Sequence, residues 1–447
     1  MRELIARGAC AIAAGLLAVV PAAGAPAAVT GGQTAPLTAG ASSVEVMLPP
    51  GVPLAGYGGF PRRSWLPDAL GRHPYAFWFR PSTGVHDHLH VRGLVLESGS
   101  VRVLWLAVDL VGTDPSLVSE LRGRLSGHGL HYSAVIVSAS HTHSGPGAYA
   151  RSRLFGFVAV DRLSGPVRER ILDGLDRAAR EAEAHREPAV VATGQSEVPD
   201  IAESRVQQPL DTALGVVKLT APTGRPLALI WNFAIHGTAL SRENFLLSGD
   251  LMGEASIRIE RQTGAPALFV NGAVGDVSPR PRGWRGVAAG GEALAEGALR
   301  AAARAQVEPG RLEVAIERVA LPAPALHVKN CLAGWAPGWM TIGLGAALPS
   351  SAEVTALAIG RTGWVTIPGE LETSLGLEIK ARGGDRYSRV LIAGVSNDYL
   401  GYFLTPADFR RPSYIACGSL YGERGGEIVR DAALAALDKL GQADGHR

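Results

Sequence analysis

The sequence predicts an α/β protein, with layered mixed β-sheets flanked by helices in a single large domain. Three observations carry that prediction. Apolar runs of strand length alternate with helical patterns along the chain. The turn residues Pro222, Thr223 and Gly224 join two adjacent strand patterns as an antiparallel hairpin, so the sheets are not purely parallel. Neither a repeat period nor a long Ser/Pro linker divides the 447 residues.

Taken in order, residues 1–25 read as an export signal. Arg2 and Arg7 precede the apolar run Ala9 to Val20, and Ala23, Gly24 and Ala25 supply a small-residue cleavage pattern. Cys10 has too little apolar sequence before it to be a lipid-attachment cysteine and is read as an ordinary signal residue. Residues 26–42 are rich in Ala, Gly, Pro and Thr without periodicity and read as a flexible leader, which places the domain over 43–447. Strands are expected at Val101 to Leu110, Ala134 to Ser138, Leu214 to Leu219, Leu227 to Phe233, Ala267 to Asn271, Val354 to Thr366 and Val390 to Val395. Helices are expected at Val167 to Ala184, Leu251 to Gln262, Glu292 to Gln306, Leu371 to Ala381 and Glu427 to Leu440, with Pro322 to Ser351 an irregular excursion.

Composition excludes some functions. Net charge is +2, and +1 once Arg2, Glu3 and Arg7 leave with the signal, which argues against electrostatic nucleic-acid binding. Beyond the signal no apolar run reaches the roughly 18 residues of a membrane span, so membrane contact is at most peripheral. The glycine-rich Met340 to Leu348 is read as a buried or interfacial segment. Cys331 and Cys417 remain in an oxidising compartment, where one disulfide is possible and its pairing stays open.

Polar residues gather where strand patterns end: SASHTHSGPG, NFAIHGTAL, FVNGAVGDVSPRP, VTIPGELETS and AGVSNDYLGYFL. Ligands of layered α/β proteins bind at such strand ends, so five loops point to one shared site. His141 and His143 alone are equally a metal pair or loop histidines bonded to backbone. Adding His236 and Glu370 makes a nitrogen and carboxylate set that suits zinc. His86, His88 and His90 form a rival cluster along one strand face, read as solvated for the latter two and left open for His86. Ser278 is either a nucleophile or a loop-capping serine, and it lacks the Gly-x-Ser-x-Gly elbow. His73, His128, His131, His185, His327 and His446 are read as surface residues.

Together AGYGG, GVHDHLHVRGLVLE, SASHTHSGPGAY, NFAIHGTAL, NGAVGDVSP, PGELETSLG, NDYLGYFLTPADF and YIACGSLYG resemble, in order, the neutral/alkaline non-lysosomal ceramidases. The resemblance implies a zinc amidase of that family's catalytic domain. His141, His236, Glu370 and Tyr402 would be the metal ligands. His143 would face the substrate, Tyr414 would be a second active-site tyrosine, and Arg205 with Gly56 and His86 would hold the polar head beside the amide. Ser278 corresponds to a family serine considered as nucleophile, with a supporting role if water attacks. The implied partner is an N-acylated lipid or small N-acyl compound. The chain departs from the family in ending at Arg447 without a C-terminal immunoglobulin-like domain, in a shorter excursion before PGE, and in Ile415 where a glutamate is common. Other readings are a metal-dependent hydrolase of another amide or an ester, a serine hydrolase, and a non-catalytic lipid- or sugar-binding module.

Overall fold

The computed structural model describes residues 29–30, 35–332 and 334–440. The export signal, and His446 among the histidines read as surface, lie outside the described residues. The leader reading is corrected over its last part: Thr38–Val46 is a strand, with Leu37 and Ala39 buried, so the domain begins before Ser43. Small residues such as Ala39 and Gly40 lack the periodic bulk that announces a strand. Gly40 is needed here because a Cβ would lie 2.1 Å from the Ala182 carbonyl of a packed helix.

The expected layered α/β architecture is present, and it is built three times. In the first unit Thr38–Val46, Leu89–Ser98 and Val101–Val108 pair antiparallel in sequence order. Helix Pro115–Gly127 then crosses over to Ala134–Ala139, which joins Val101–Val108 in parallel. Helix Gly165–Ala184 follows, and the short edge strand Glu187–Pro188 closes on the first strand.

The second unit repeats this order with strands Val190–Glu197, Ala213–Thr220 and Pro226–Phe233, helix Asp250–Thr263, strand Ala267–Asn271, helix Gly283–Ala303 and edge Gln306–Glu308. The third uses Leu312–Ala320, Ser351–Ile359, Thr362–Thr366, helix Thr373–Gly383, strand Arg389–Ala393 and helix Gly425–Lys439. Its edge strand is Val29–Thr30, from the start of the described chain. The three five-stranded sheets therefore share one strand order. No sequence period betrays this, because topology demands only that each position be apolar and not that it keep one identity.

Strand alternation sends one side chain to each face of a sheet. Trp105, Ile230, Leu268, Trp364 and Leu391 turn inward to a core shared by all three sheets, where Trp105 and Trp364 meet edge to face at 4.9 Å. Outward-facing neighbours such as Leu104, Trp231 and Val365 pack beneath the helices. Both faces are covered, which is why the strands read as continuous apolar runs.

Several boundaries differ from the sequence expectation. Val354 to Thr366 is two strands, turned at Gly360 and Arg361. Helix Gly283–Ala303 starts nine residues before the expected Glu292, its Gly- and Ala-rich first turns lying close against Pro281 and Glu254. Met340 to Leu348 is mostly exposed rather than buried. His86 to His90 is not one strand face: a strand ends at Val85 and the next begins at Leu89. His327 is half-buried, its ring edge on Phe409. Cys331 and Cys417 are joined in a disulfide that ties the excursion to the short helix Tyr414–Cys417. No helix among the described residues is long and apolar enough to cross a membrane.

Candidate metal centre

In each unit the third and fourth strands are parallel, so their carboxyl ends lie at one end of the sheet. The loops leaving them converge. After the third strands come Val111, His236 and Glu370; after the fourth come His141 and His143, then Val274 and Ser278, then Tyr399 and Tyr402.

Buried polar side chains hold the units in register. Asn271 donates to the carbonyls of Ser140 (3.1 Å) and Ile235 (2.9 Å), each one residue before a cluster histidine. The Ser138 and Ser396 hydroxyls pair at 2.7 Å, and Asn397 Oδ1 accepts from Val137 N. The first histidine loop is also zipped to the second: His143 N donates to Gly237 O at 2.8 Å, and a Cβ on Gly237 would lie 2.5 Å from Thr142 Cα.

His141 has φ +67°, a left-handed turn uncommon for a non-glycine residue, which redirects its ring inward. Its Nδ1 donates to Val111 O at 2.5 Å, and His236 Nδ1 donates to Val274 O at 3.1 Å. Each Nδ1 therefore carries the hydrogen, and in a neutral ring each Nε2 is left with a lone pair. Those two Nε2 atoms face each other at 3.0 Å. Glu370 adds Oε1 at 3.4 Å from His141 Nε2 and Oε2 at 3.1 Å from His236 Nε2. All three side chains are essentially inaccessible to water.

Burial drives the His236 pKa down to about 3 and that of His143 well below its usual value, so both are neutral near pH 7. Burial pushes Glu370 up, and only positive charge on the facing His141 and His236 outweighs it and holds its carboxyl well below the carboxylate range, so the anion calls for a cation at this point. Two lone pairs and an anion thus face one buried point, and Glu370 Oε2 makes no hydrogen bond. That arrangement is repulsive unless a cation occupies it. His143 Nε2 is 3.5 Å from His141 Nε2, and one nitrogen from each of His141, His143 and His236 lies within 4.8 Å of the others, so this histidine group could hold a metal ion.

The remaining sequence candidates divide. Tyr402 pairs with Glu370 across a short parallel bridge, and burial, then the Glu370 carboxylate, push its phenol well above the usual range. Arg205 donates through Nε to Ser278 Oγ at 2.7 Å. Its guanidinium lies 5.5 Å from the Tyr414 ring centre, and its buried Nη1 has no partner. Tyr414 is 61% exposed, its ring 6.3 Å from that of Tyr402. Ser278 is engaged by an arginine instead of a base. His86 stacks on Trp284 at 3.9 Å and contacts Asp87, outside the histidine cluster.

Gly56 does meet the site. At φ +97° its missing side chain leaves room for His143, since a Cβ there would lie 2.4 Å from His143 Nδ1. Gly56→Ala is accordingly expected to displace the His143 ring and cut turnover by on the order of 100-fold while metal content stays unchanged, as read by single-turnover kinetics beside metal analysis.

Three residues were not singled out by sequence reasoning. Tyr57 sets its ring edge 4.9 Å from His143, and Arg62 donates to His143 O at 3.0 Å. Tyr399 donates to Glu370 Oε1 at 2.6 Å. Tyr57 and Tyr399 stand inside the motifs AGYGG and NDYLGY, so motif membership was their only signal; Arg62 had none.

A family model described as neutral/alkaline non-lysosomal ceramidase, N-terminal, matches residues 73–293. That range holds His86, His141, His143, Arg205, His236 and Ser278, but not Glu370, Tyr402 or Tyr414. Neutral ceramidase B of Dictyostelium discoideum is 26% identical over 238 residues, 47% of this chain and 33% of its own length. The neutral ceramidase of Pseudomonas aeruginosa is 23% identical over 232 residues, 47% of this chain and 34% of its own. The alignments thus span about a third of these relatives. The solved structure of a ceramidase complexed with C2 superposes with TM-score 0.78 at 17% identity, covering 90% of this chain and 75% of the other. The crystal structure of the Pseudomonas aeruginosa neutral ceramidase gives 0.76 at 19%, covering 91% and 75%. At these identities the superpositions establish a shared fold.

Proposed function

Because residues 73–293 match the neutral/alkaline non-lysosomal ceramidase family model and the chain shares the ceramidase fold, we propose that it is an exported zinc-dependent amidase of that family, cleaving the N-acyl bond of ceramide or a related N-acyl amine. The products are a fatty acid and a free amine. The observation that carries the reading is the pair of lone-pair nitrogens, His141 Nε2 and His236 Nε2, 3.0 Å apart beside the Glu370 carboxylate. Neutral imidazoles with a carboxylate match the donor preferences of zinc, and Tyr402, paired with Glu370 across the short bridge, would supply a fourth donor, its phenolic oxygen. Export is supported by the N-terminal signal pattern and by the Cys331–Cys417 disulfide, which persists in an oxidising compartment.

His141, His236, Glu370 and Tyr402 would hold the zinc. When bound, the ion polarises the amide carbonyl and acidifies water, both needed because an amide is a poor electrophile. His143, neutral and with Nε2 toward the cluster, takes the proton of the attacking water and returns it to the departing amine. Tyr414, on the solvent side of Tyr402, donates its phenolic hydrogen to the developing oxyanion. Arg205 offers its free Nη1 to a hydroxyl or anionic head group, and Ser278 fixes the guanidinium plane. Gly56 leaves the space that the His143 ring fills, and His86 is stacked on Trp284 outside the histidine cluster.

The test is hydrolysis of a panel of N-acyl substrates, from ceramide to short N-acyl amines, with and without chelator. Chelation is expected to remove about one zinc per chain and abolish turnover, and zinc is expected to restore it. Full turnover by metal-free protein would reject the zinc reading. Sensitivity to Ser278→Ala exceeding that to metal removal would favour a serine hydrolase.

A further inference from the structure

We propose that Tyr399 is a positioning residue for the metal centre: its hydroxyl holds Glu370 by Oε1 and leaves Oε2 as the oxygen presented to the ion. The proposal rests on the zinc reading above. A carboxylate offers two oxygens and rotates about its terminal torsion, so the oxygen that reaches a metal must be fixed from outside. Tyr399 donates to Oε1 at 2.6 Å, whereas Oε2 has no hydrogen bond and lies 3.1 Å from His236 Nε2.

The tyrosine is itself held rigidly. Its ring stacks on Phe155 at 4.7 Å and 25°, and lies nearly parallel to His141 at 6.2 Å. The loop before it is clamped to the strand Ala134–Ala139 that delivers His141. Asn397 accepts from Val137 N and donates to Val135 O, and Ser396 pairs with Ser138. Val395 and Asn397 adopt φ +51° and +63°, unusual backbone that these contacts hold in place. Glu370 of the third unit is thereby referenced to the strand carrying His141 of the first.

Tyr399→Phe keeps the ring and its packing and removes only the donor. Tyr387→Phe is the matched control, because the Tyr387 hydroxyl, also buried, donates to Leu437 O at 3.2 Å, away from the histidine cluster. Zinc affinity is measured by chelator competition, and the visible spectrum of the cobalt(II)-loaded proteins is recorded. Tyr399→Phe is expected to lose about 10- to 100-fold in zinc affinity and to change the cobalt band, with Tyr387→Phe near wild type in both. Wild-type affinity and spectrum in Tyr399→Phe, or an equal loss in Tyr387→Phe, would overturn the proposal. A wild-type chain that binds no zinc would instead remove the reading beneath it. If Tyr399→Phe does not fold, Phe155→Leu, which loosens the ring and keeps the hydroxyl, is expected to weaken zinc binding in the same direction, and an unchanged affinity there would equally overturn it.

Discussion

Glu370→Gln is expected to yield a folded protein that retains no zinc and hydrolyses N-acyl substrates at least ~10³-fold more slowly, about 4 kcal/mol of transition-state stabilisation. The carboxylate is the charge that turns two facing lone pairs into a cation site. A carboxamide has the same shape, and its NH2 can donate to His236 Nε2, so the mutant satisfies that buried nitrogen without an ion. The metal-free mutant should therefore unfold at an equal or higher temperature than metal-free wild type, because an incompletely paired buried anion has been removed. Metal analysis, kinetics and thermal unfolding of both proteins check this. A mutant that keeps stoichiometric zinc and wild-type turnover would show that Glu370 is not a ligand.

The largest stability effect is expected at Asn271. Its amide donates to the carbonyls of Ser140 and Ile235, and its oxygen accepts from Ile235 N and Gly272 N, with no exposure to solvent. Asn271→Ala strands two carbonyls and the Ile235 amide in the interior, while Gly272 N keeps its bond to Phe233 O. At about 1–3 kcal/mol for each buried group left unpaired, and with partial relaxation, the fold should lose about 3–5 kcal/mol. Because Ser140 and Ile235 precede His141 and His236, zinc affinity should fall with stability. Denaturant midpoints and chelator competition on the same variant test both, and a loss under about 1 kcal/mol with unchanged affinity would show that the loops do not depend on this pin.

Much of the site was legible because chemistry-bearing residues sat where apolar runs stop, and a strand end is where a loop is free to hold a ligand. His141, His236 and Glu370 were reached that way, and they do converge. The strand Thr38–Val46 was not, because Ala39, Gly40 and Ala41 carry little hydrophobic bulk and the residues before them resemble a leader. The turn at Gly360 and Arg361 was hidden inside one apolar run, since two fully buried strands lack the alternation that marks their ends. Tyr399 and Tyr402 stand three residues apart in one motif, and nothing local tells which oxygen meets Glu370 and how.

The sequence by itself determined the alternation of strands and helices, the hairpin at Pro222 to Gly224, and the inventory of imidazole, carboxylate and phenol groups at strand ends. Side-chain chemistry and hydrophobic periodicity are local properties and survive reading along the chain. Only the tertiary structure decided that three units of one topology bring those ends together, and which nitrogen of each histidine is free. The groups that make that choice are the carbonyls of Val111 and Val274, backbone atoms that any residue would supply. Their power lies in position, and position is set by the packing of sheets far apart in sequence.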